Sequence, residues 1–278
     1  MPTVTRHDSL DRAIAADVAA LWRRIDTELI GHADFITTAG ELVSYTGIRA
    51  AEQQLLVSYA DPELVGFAWA TLPLADNANT LEAEIRLIPG ADPAPLIDAL
   101  RTLRPIIAVW HPAGLDLSPH GLQLVQVEVA SALQIPAHLP ECSPDPSYAL
   151  ASWRGPVPDE HLSGLAALKE LMSTDMPWGG QIHEKETWDA GRIRELEEAA
   201  RRAETETLWS VAVHRGSGDH VGFTQLSCPA GRPRIAFQED TLVVAAHRGR
   251  GLGMALKIAN LGQLELAMPQ VRTLYTWN

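Results

Sequence analysis

Val243-Val244-Ala245-Ala246-His247-Arg248-Gly249-Arg250-Gly251-Leu252-Gly253-Met254-Ala255 leaves a β-branched strand, passes three glycines spaced two apart and opens a helix. That order suits an anion. Glycines let the backbone come close, their N–H groups converge, and a helix N-terminus adds partial positive charge. Arg248 and Arg250 supply full charges. The segment is expected to hold a pyrophosphate, with Val243, Val244 and Ala245 ending the strand and Arg248, Gly249, Arg250, Gly251, Leu252 and Gly253 around the anion. A P-loop would need Gly-Lys-Ser/Thr, which is absent. A dinucleotide fingerprint starting at Gly249 or Gly251 would need glycine where Met254 or Leu256 stands.

Outward from this loop, the chain repeats. Leu64-Val65-Gly66-Phe67 recurs as His220-Val221-Gly222-Phe223, which sets an offset of 156 between Gly66 and Gly222. At that offset Leu55-Leu56-Val57 falls on Val211-Ala212-Val213, and Leu81 to Leu87 on Phe237 to Val243, with Glu84 on Asp240. Leu96, Ala99 and Leu100 fall on Leu252, Ala255 and Leu256, the i, i+3, i+4 stripe of a helix in both places. Four segments in one order argue for two copies of one fold. Each copy opens with a helix, Asp11 to Ile25 and Asp159 to Met172, the second with Asp159 as N-cap behind Pro158. In the second copy strands follow over 208–214 and 221–226, joined by the glycine turn Arg215 to Asp219. Then come a strand over 237–245, a helix over 252–267 and a strand over 271–277. This is a mixed α/β sheet fold in tandem. The proline-rich Leu139 to Pro146 reads as the linker, so the expected domains are 1–150 and 151–278.

Arg248, Gly251 and Gly253 satisfy R-x-x-G-x-G, and with the preceding strand and following helix the chain resembles the GNAT acetyltransferases. Asp240 to Val243, His247-Arg248-Gly249 and Leu274 to Asn278 are similar to an actinobacterial branch of tandem GNAT proteins. The resemblance implies that this loop cradles the pyrophosphate of acetyl-CoA as cosubstrate, that the preceding strand hydrogen-bonds its pantetheine arm, and that an amine attacks the thioester directly in a ternary complex. It also implies a backbone N–H near Val243 as the polarising donor. The first copy departs at the decisive positions. Arg248 falls on Asp92, Gly251 on Pro95 and Gly253 on Ile97, so charge, donor and space are all reversed. Residues 1–150 are therefore expected to be a degenerate GNAT-like domain without a pyrophosphate loop.

A base is needed to deprotonate the amine. Glu239 and Asp240 are the candidates; as neighbours on a strand they are expected to face opposite sides of the sheet. Asp240 has a counterpart in Glu84, which points to structure, whereas Glu239 falls on Ala83. Trp178, Gly179, Gly180, Gln181 and His183 follow the second opening helix, where the resemblance implies acceptor contacts; the competing reading is an exposed glycine turn with a packed tryptophan. His183-Glu184 lacks the second histidine of a zinc helix motif because position 187 is Thr187, and no metal is expected. Glu195, Glu197 and Glu198 with Arg192, Arg194, Arg201 and Arg202 read as a solvated helix face, and Ser217 as a turn serine.

The 278 residues carry 22 Lys and Arg against 35 Asp and Glu, a net charge of -13 that disfavours nucleic acid and mildly favours a cationic acceptor. With 46% hydrophobic residues the chain can build packed cores. Cys142 and Cys228 are too few for a disulfide framework. No export signal and no run of the ~18 to 20 apolar residues of a membrane span is visible, so a cytoplasmic protein is expected. Two copies at an offset of 156 need 312 residues, so the second copy is expected to lack its last helix and strands. The expected activity is acetyl transfer to a small-molecule amine, without nucleic acid or membrane partners and with homodimerisation left open. The alternative is a CoA-binding or scaffolding protein without catalysis.

Overall fold

The computed structural model describes residues 3–7, 11–44, 51–60, 62–138, 142, 145–176 and 179–278. Of the expected linker, Leu139, Pro140, Glu141, Ser143 and Pro144 lie outside these residues, as does Trp178. The chain folds as two units. Met1–Val127 with Trp178–Glu184 forms the first, and Glu128–Pro177 with Lys185–Asn278 the second.

In the first unit the Asp11 carboxylate accepts from the Ala13 and Ile14 N–H groups, both at 2.9 Å, and so starts α1 (Arg12–Ile30). One face of α1 buries Ala15, Val18, Leu21, Trp22 and Ile25. Gly31, at φ +82°, ends it, its N–H returning to the Thr27 carbonyl. The short α2 (Ala39–Ser44) is started by a reciprocal pair: Glu41 accepts from the Thr38 N–H, and Thr38 Oγ1 accepts from the Glu41 N–H. The strands β1 (Thr3–His7), β2 (Ala51–Ala60), β3 (Glu63–Pro73), β4 (Thr80–Leu87) and β5 (Ile106–Trp110) lie side by side in chain order. Only β4 and β5 are parallel, because α3 (Ala94–Arg101) makes the crossover between them. Leu55, Val57 and Phe67 pack toward α1, while Leu56, Ala68, Leu81, Ala83 and Ile85 pack with Leu96, Ile97 and Leu100 of α3.

The second unit repeats this plan with β7 (Tyr148–Arg154), α4 (Asp159–Asp175), α5 (Ala190–Arg202), β8 (Thr205–His214), β9 (His220–Pro229), β10 (Ile235–Val243), α6 (Leu252–Ala267) and β11 (Thr273–Trp277). α4 covers one sheet face through Leu165, Ala166 and Leu168 against Trp209, Val211, Phe223 and Leu242. On the other face, α6 packs Leu261 and Leu264 on Leu208, Leu226 and Ala236.

The strand order is β6-β11-β10-β9-β8-β7, and its first member, β6 (Ala130–Gln134), precedes the rest of the unit in sequence. It pairs antiparallel with β11, from Gln134 opposite Thr273 to Ala130 opposite Trp277. The outer edge of β11, where missing strands were expected, is thus covered from upstream. The chain accordingly divides at 127/128 and not at 150/151. Reading copies in chain order hides this, because residues 128–138 follow β5 in sequence but hydrogen-bond to β11.

Three expectations change in detail. Pro158 occupies the cap position of α4 and Asp159 is its first residue; together with Glu160 it places acids in the first turn, where the helix dipole favours them. The edge strands β1 and β7 were not foreseen. The offset of 156 also fails between β2 and β8. Tyr59 pairs with Leu64 where Val213 pairs with His220, so the second hairpin connection is two residues longer. Leu55-Leu56-Val57 therefore matches Trp209-Ser210-Val211.

The repeated Val-Gly-Phe is a packing requirement. Gly66 lies opposite Leu87 and Gly222 opposite Val243, each where two strands close up. A Cβ on Gly66 would sit 3.0 Å from the Arg86 carbonyl oxygen and overlap the Leu87 side chain. On Gly222 it would sit 2.8 Å from the Leu242 oxygen and 3.3 Å from Leu256 Cδ1 and Val243 Cγ2. Gly222→Ala is expected to cost about 1 to 3 kcal/mol, the range for overpacking, measured by denaturant unfolding. Among the described residues, no helix is long and apolar enough to cross a membrane.

Candidate functional site

Strand β10 differs from its counterpart β4 in three ways. The first is a bulge. β4 pairs with β3 in unbroken register from Gly66 opposite Leu87 to Thr71 opposite Glu82. Along β10 the register shifts between Gln238 and Thr241, so Glu239 and Asp240 together oppose Gln225. Gln238 pairs with Leu226 and Thr241 with Thr224, and both face α6; the two threonine hydroxyls are 2.7 Å apart. Glu239 and Asp240, between two residues on the same side, both turn to the α4 face. Asp240 Oδ2 lies 2.6 Å from Lys169 Nζ of α4, and Glu239 accepts from the Ser227 hydroxyl. The expectation that these acids face opposite sides is corrected, because strand alternation does not survive a bulge.

The second difference is a splay. β4 and β5 stay paired over five residues, from Thr80 opposite Ile106 to Glu84 opposite Trp110. β10 and β11 pair only from Ile235 opposite Thr273 to Phe237 opposite Tyr275. Beyond Phe237 the β11-facing edge of β10 has no ladder partner among the described residues. It leaves backbone donors and acceptors for an extended ligand.

The third is the glycine loop. Val244 N–H holds the Val221 carbonyl at 2.9 Å, Ala245 to His247 form one tight turn, and Gly249 and Gly251 adopt φ of +74° and +73°. The first backbone bond of α6 runs from Ala255 N–H to the Gly251 carbonyl at 3.0 Å. The N–H groups of Leu252, Gly253 and Met254 therefore have no intrahelical acceptor. A depression of about 210 Å³ opens there, lined by Val243, His247, Arg248, Gly249, Gly251, Leu252, Gly253 and Met254. Leu252, buried, anchors the helix start against Tyr148, Ala212, Val221 and Leu256.

Both arginines are tethered. Arg248 donates to the Val243 carbonyl at 2.8 Å and to Asp175 at 2.5 Å, and Arg250 lies 3.4 Å from Asp145. A guanidinium has five N–H donors, so these tethers orient the groups without using them up. The equivalent helix start in the first unit is already satisfied from within. Asp92 accepts from the Ala94 N–H at 2.9 Å, placing a carboxylate where the second unit offers amides.

Under the bulge lies a charged cluster with a twin in the first unit. There, Asp26 of α1 meets Arg86 of β4 at 3.2 Å, Arg86 meets Glu84 at 2.6 Å, and the Arg86 guanidinium sits 5.2 Å from the Trp22 ring. In the second unit the signs are exchanged, with helix α4 giving the cation Lys169 and strand β10 the anion Asp240. Lys169 Nζ lies 5.2 Å from the ring centre of Phe223, 5.6 Å from Trp209 and 5.7 Å from Trp188. Phe67 and Phe223, related by the repeat, close the two clusters. Asp240 thus takes the ion-pair role of Glu84, and Glu239 is the residue the bulge adds. Desolvation by the surrounding protein pushes the Glu239 carboxyl above its ordinary value. The Asp240 charge adds to this, while the Ser227 hydrogen bond, Lys169 and Arg232 oppose it. Protein groups crowd the carboxyl while the residue as a whole keeps a route to solvent.

Elsewhere the expected residues serve structure. Gly179 packs on the Val125 backbone, and Glu184 exchanges hydrogen bonds with Asn77 at 2.6 and 3.1 Å, which ties this segment into the first unit. Arg194 bridges Asp159 and Glu197, and Glu197 also accepts from the Val157 N–H, so this face of α5 is a docking seam. Ser217 accepts from the Asp219 N–H within the hairpin turn. Cys228 is buried, its thiol pushed up to about 12 by burial, and is inert at neutral pH. No group of metal-ligating side chains occurs among the described residues.

No family model and no curated protein matches the chain. Solved structures do. A tandem GNAT protein from the clavulanic acid biosynthesis pathway is 20% identical, with all of this chain and 90% of that one covered and a TM-score of 0.71. A GCN5-related N-acetyltransferase from Sphaerobacter thermophilus is 17% identical over 99% of this chain and 86% of its own, with a TM-score of 0.65. The glucosamine N-acetyltransferase region of a fungal multi-domain β-N-acetylglucosaminidase is 14% identical, covering all of this chain and 36% of that one, with a TM-score of 0.60.

Proposed function

We propose that this chain, which carries the tandem GNAT fold, transfers the acetyl group of acetyl-CoA to the amine of a small molecule, using its second unit alone. One observation carries this reading: bulge, splay and glycine loop coincide on β10 and α6, and β4 and α3 have none of the three. Acetyl-CoA supplies the activated acyl group. The amides of 249–254, with Arg248 and Arg250, hold its pyrophosphate, and the unpaired edge of β10 hydrogen-bonds its pantetheine arm. A backbone N–H of that edge near Val243 donates to the thioester carbonyl oxygen as negative charge develops on it. Glu239 takes the proton from the acceptor ammonium, which frees the lone pair for attack; as the C–N bond forms the C–S bond breaks, and the proton lost by the amide nitrogen balances the one that the departing thiolate takes up from solvent. Asp240 stays in its ion pair.

The net charge of -13 supports a cationic acceptor. The first unit, with Asp92, Pro95 and Ile97 in place of the loop, is a scaffold that binds no cofactor. Incubation with acetyl-CoA and a panel of small primary amines, read as release of free thiol, is expected to show turnover with at least one cationic amine. Saturable CoA binding without turnover on any amine would instead identify a binding protein without transferase activity.

A further inference from the structure

We propose that Lys169 is a positioning residue for the base: it fixes Asp240 in an ion pair so that the β10 bulge can carry two neighbouring carboxylates on one face and leave Glu239 alone to exchange the proton. The inference rests on the reading of Glu239 as base. A bulge that turns Glu239 and Asp240 to the same side sets two like charges next to each other, which opposes ionisation of both unless a cation intervenes. The only cation within ion-pair distance of Asp240 among the described residues is Lys169, at 2.6 Å. Its side chain is 11% exposed and walled by Trp188, Trp209 and Phe223, so the ammonium has one place to be.

The first unit shows what this position does without a bulge. There Glu84 stands alone opposite Trp69, and Arg86 neutralises it from the same strand while Asp26 closes the cluster from α1. In the second unit Leu242 takes the place of Arg86, and the cation comes from the helix instead. Moving the cation to α4 keeps the ion pair while the extra residue, Glu239, projects beside it. The groups that act on Glu239 are Asp240 on its own strand, Lys169 from α4, Arg232 from the β9–β10 connection, and the Ser227 hydroxyl and Cys228 thiol of β9. Of these, Lys169 is the one that couples to both acids.

The test is the titration of the Glu239 carboxyl, followed by carbon NMR in protein without acetyl-CoA, together with pH profiles of kcat/KM. Lys169→Met is expected to move both the Glu239 titration and the acid limb of kcat/KM to higher pH by about one unit, so that activity on that limb falls about tenfold. Lys169→Arg is expected to restore both. Asp240→Asn, which keeps the cation and removes the competing charge, is expected to move both to lower pH and serves if the methionine variant does not fold. An unchanged Glu239 titration in Lys169→Met and Asp240→Asn overturns the inference, as does acetylation of Lys169 itself on incubation with acetyl-CoA, read by peptide mass. Full activity of Glu239→Gln overturns the reading of the base instead, whatever the titrations show.

Discussion

Replacing Glu239 by glutamine is expected to lower kcat by about 10²- to 10⁴-fold, the usual contribution of a general base, while leaving the acetyl-CoA dissociation constant unchanged. The side chain keeps its size and its hydrogen bond to Ser227, so the bulge persists and only the proton acceptor is lost. The sign of the pH dependence follows from the direction of the Glu239 shift. A base works only when ionised, and desolvation raises this carboxyl above the ordinary value of about 4.3. kcat/KM should therefore fall as pH drops through that raised value, at higher pH than an unperturbed glutamate would give. In Glu239→Gln this limb should disappear. A Glu239→Gln enzyme with full kcat across the pH range would remove Glu239 from the mechanism.

Giving the second loop the residues of the first is expected to abolish acetyl-CoA binding. Gly251→Pro with Gly253→Ile copies Pro95 and Ile97 onto the start of α6. Gly251 stands at φ +73°, which proline cannot adopt, and the change also removes an N–H from the cluster that meets the anion. Isoleucine at 253 points a branched side chain into the depression that Gly253 lines. Two hydrogen bonds to a charged group, each worth roughly 1.5 to 3 kcal/mol, correspond to a loss of affinity of about 100-fold or more. Arg248→Glu should act in the same direction, since it reverses the charge and sets a carboxylate against Asp175. Calorimetric titration with acetyl-CoA measures both, with retained thermal unfolding as the control for folding.

The conformation of the loop was legible in the sequence because strand, glycines and helix are contiguous. The offset of 156 was legible for the same reason over β3, the end of β10 and α6, but it slips to 155 before the β10 bulge, where Gln238 opposite Leu226 matches Ala83 opposite Ala70. It failed at β2 and β8, where the second turn is two residues longer. The bulge left a faint trace. Leu81, Ala83, Ile85 and Leu87 keep a period of two along β4, whereas Ala236 and Gln238 are out of phase with Thr241 and Val243 along β10. Nothing local marks Lys169 or Asp175, which reach the site from the middle and the end of α4, 71 and 73 residues before their partners in sequence. The strand β6 was hidden for a further reason: it precedes β7 in sequence but hydrogen-bonds to β11, the last strand of the same sheet, so order along the chain misassigns it.

The proposed division of labour between the two units rests on one count. Titration of the intact chain with acetyl-CoA should give one equivalent bound per chain, lost in Arg248→Glu. Two equivalents would show that the loop containing Asp92, Pro95 and Ile97 works after all, and none would show that the loop from Val243 to Gly253 does not.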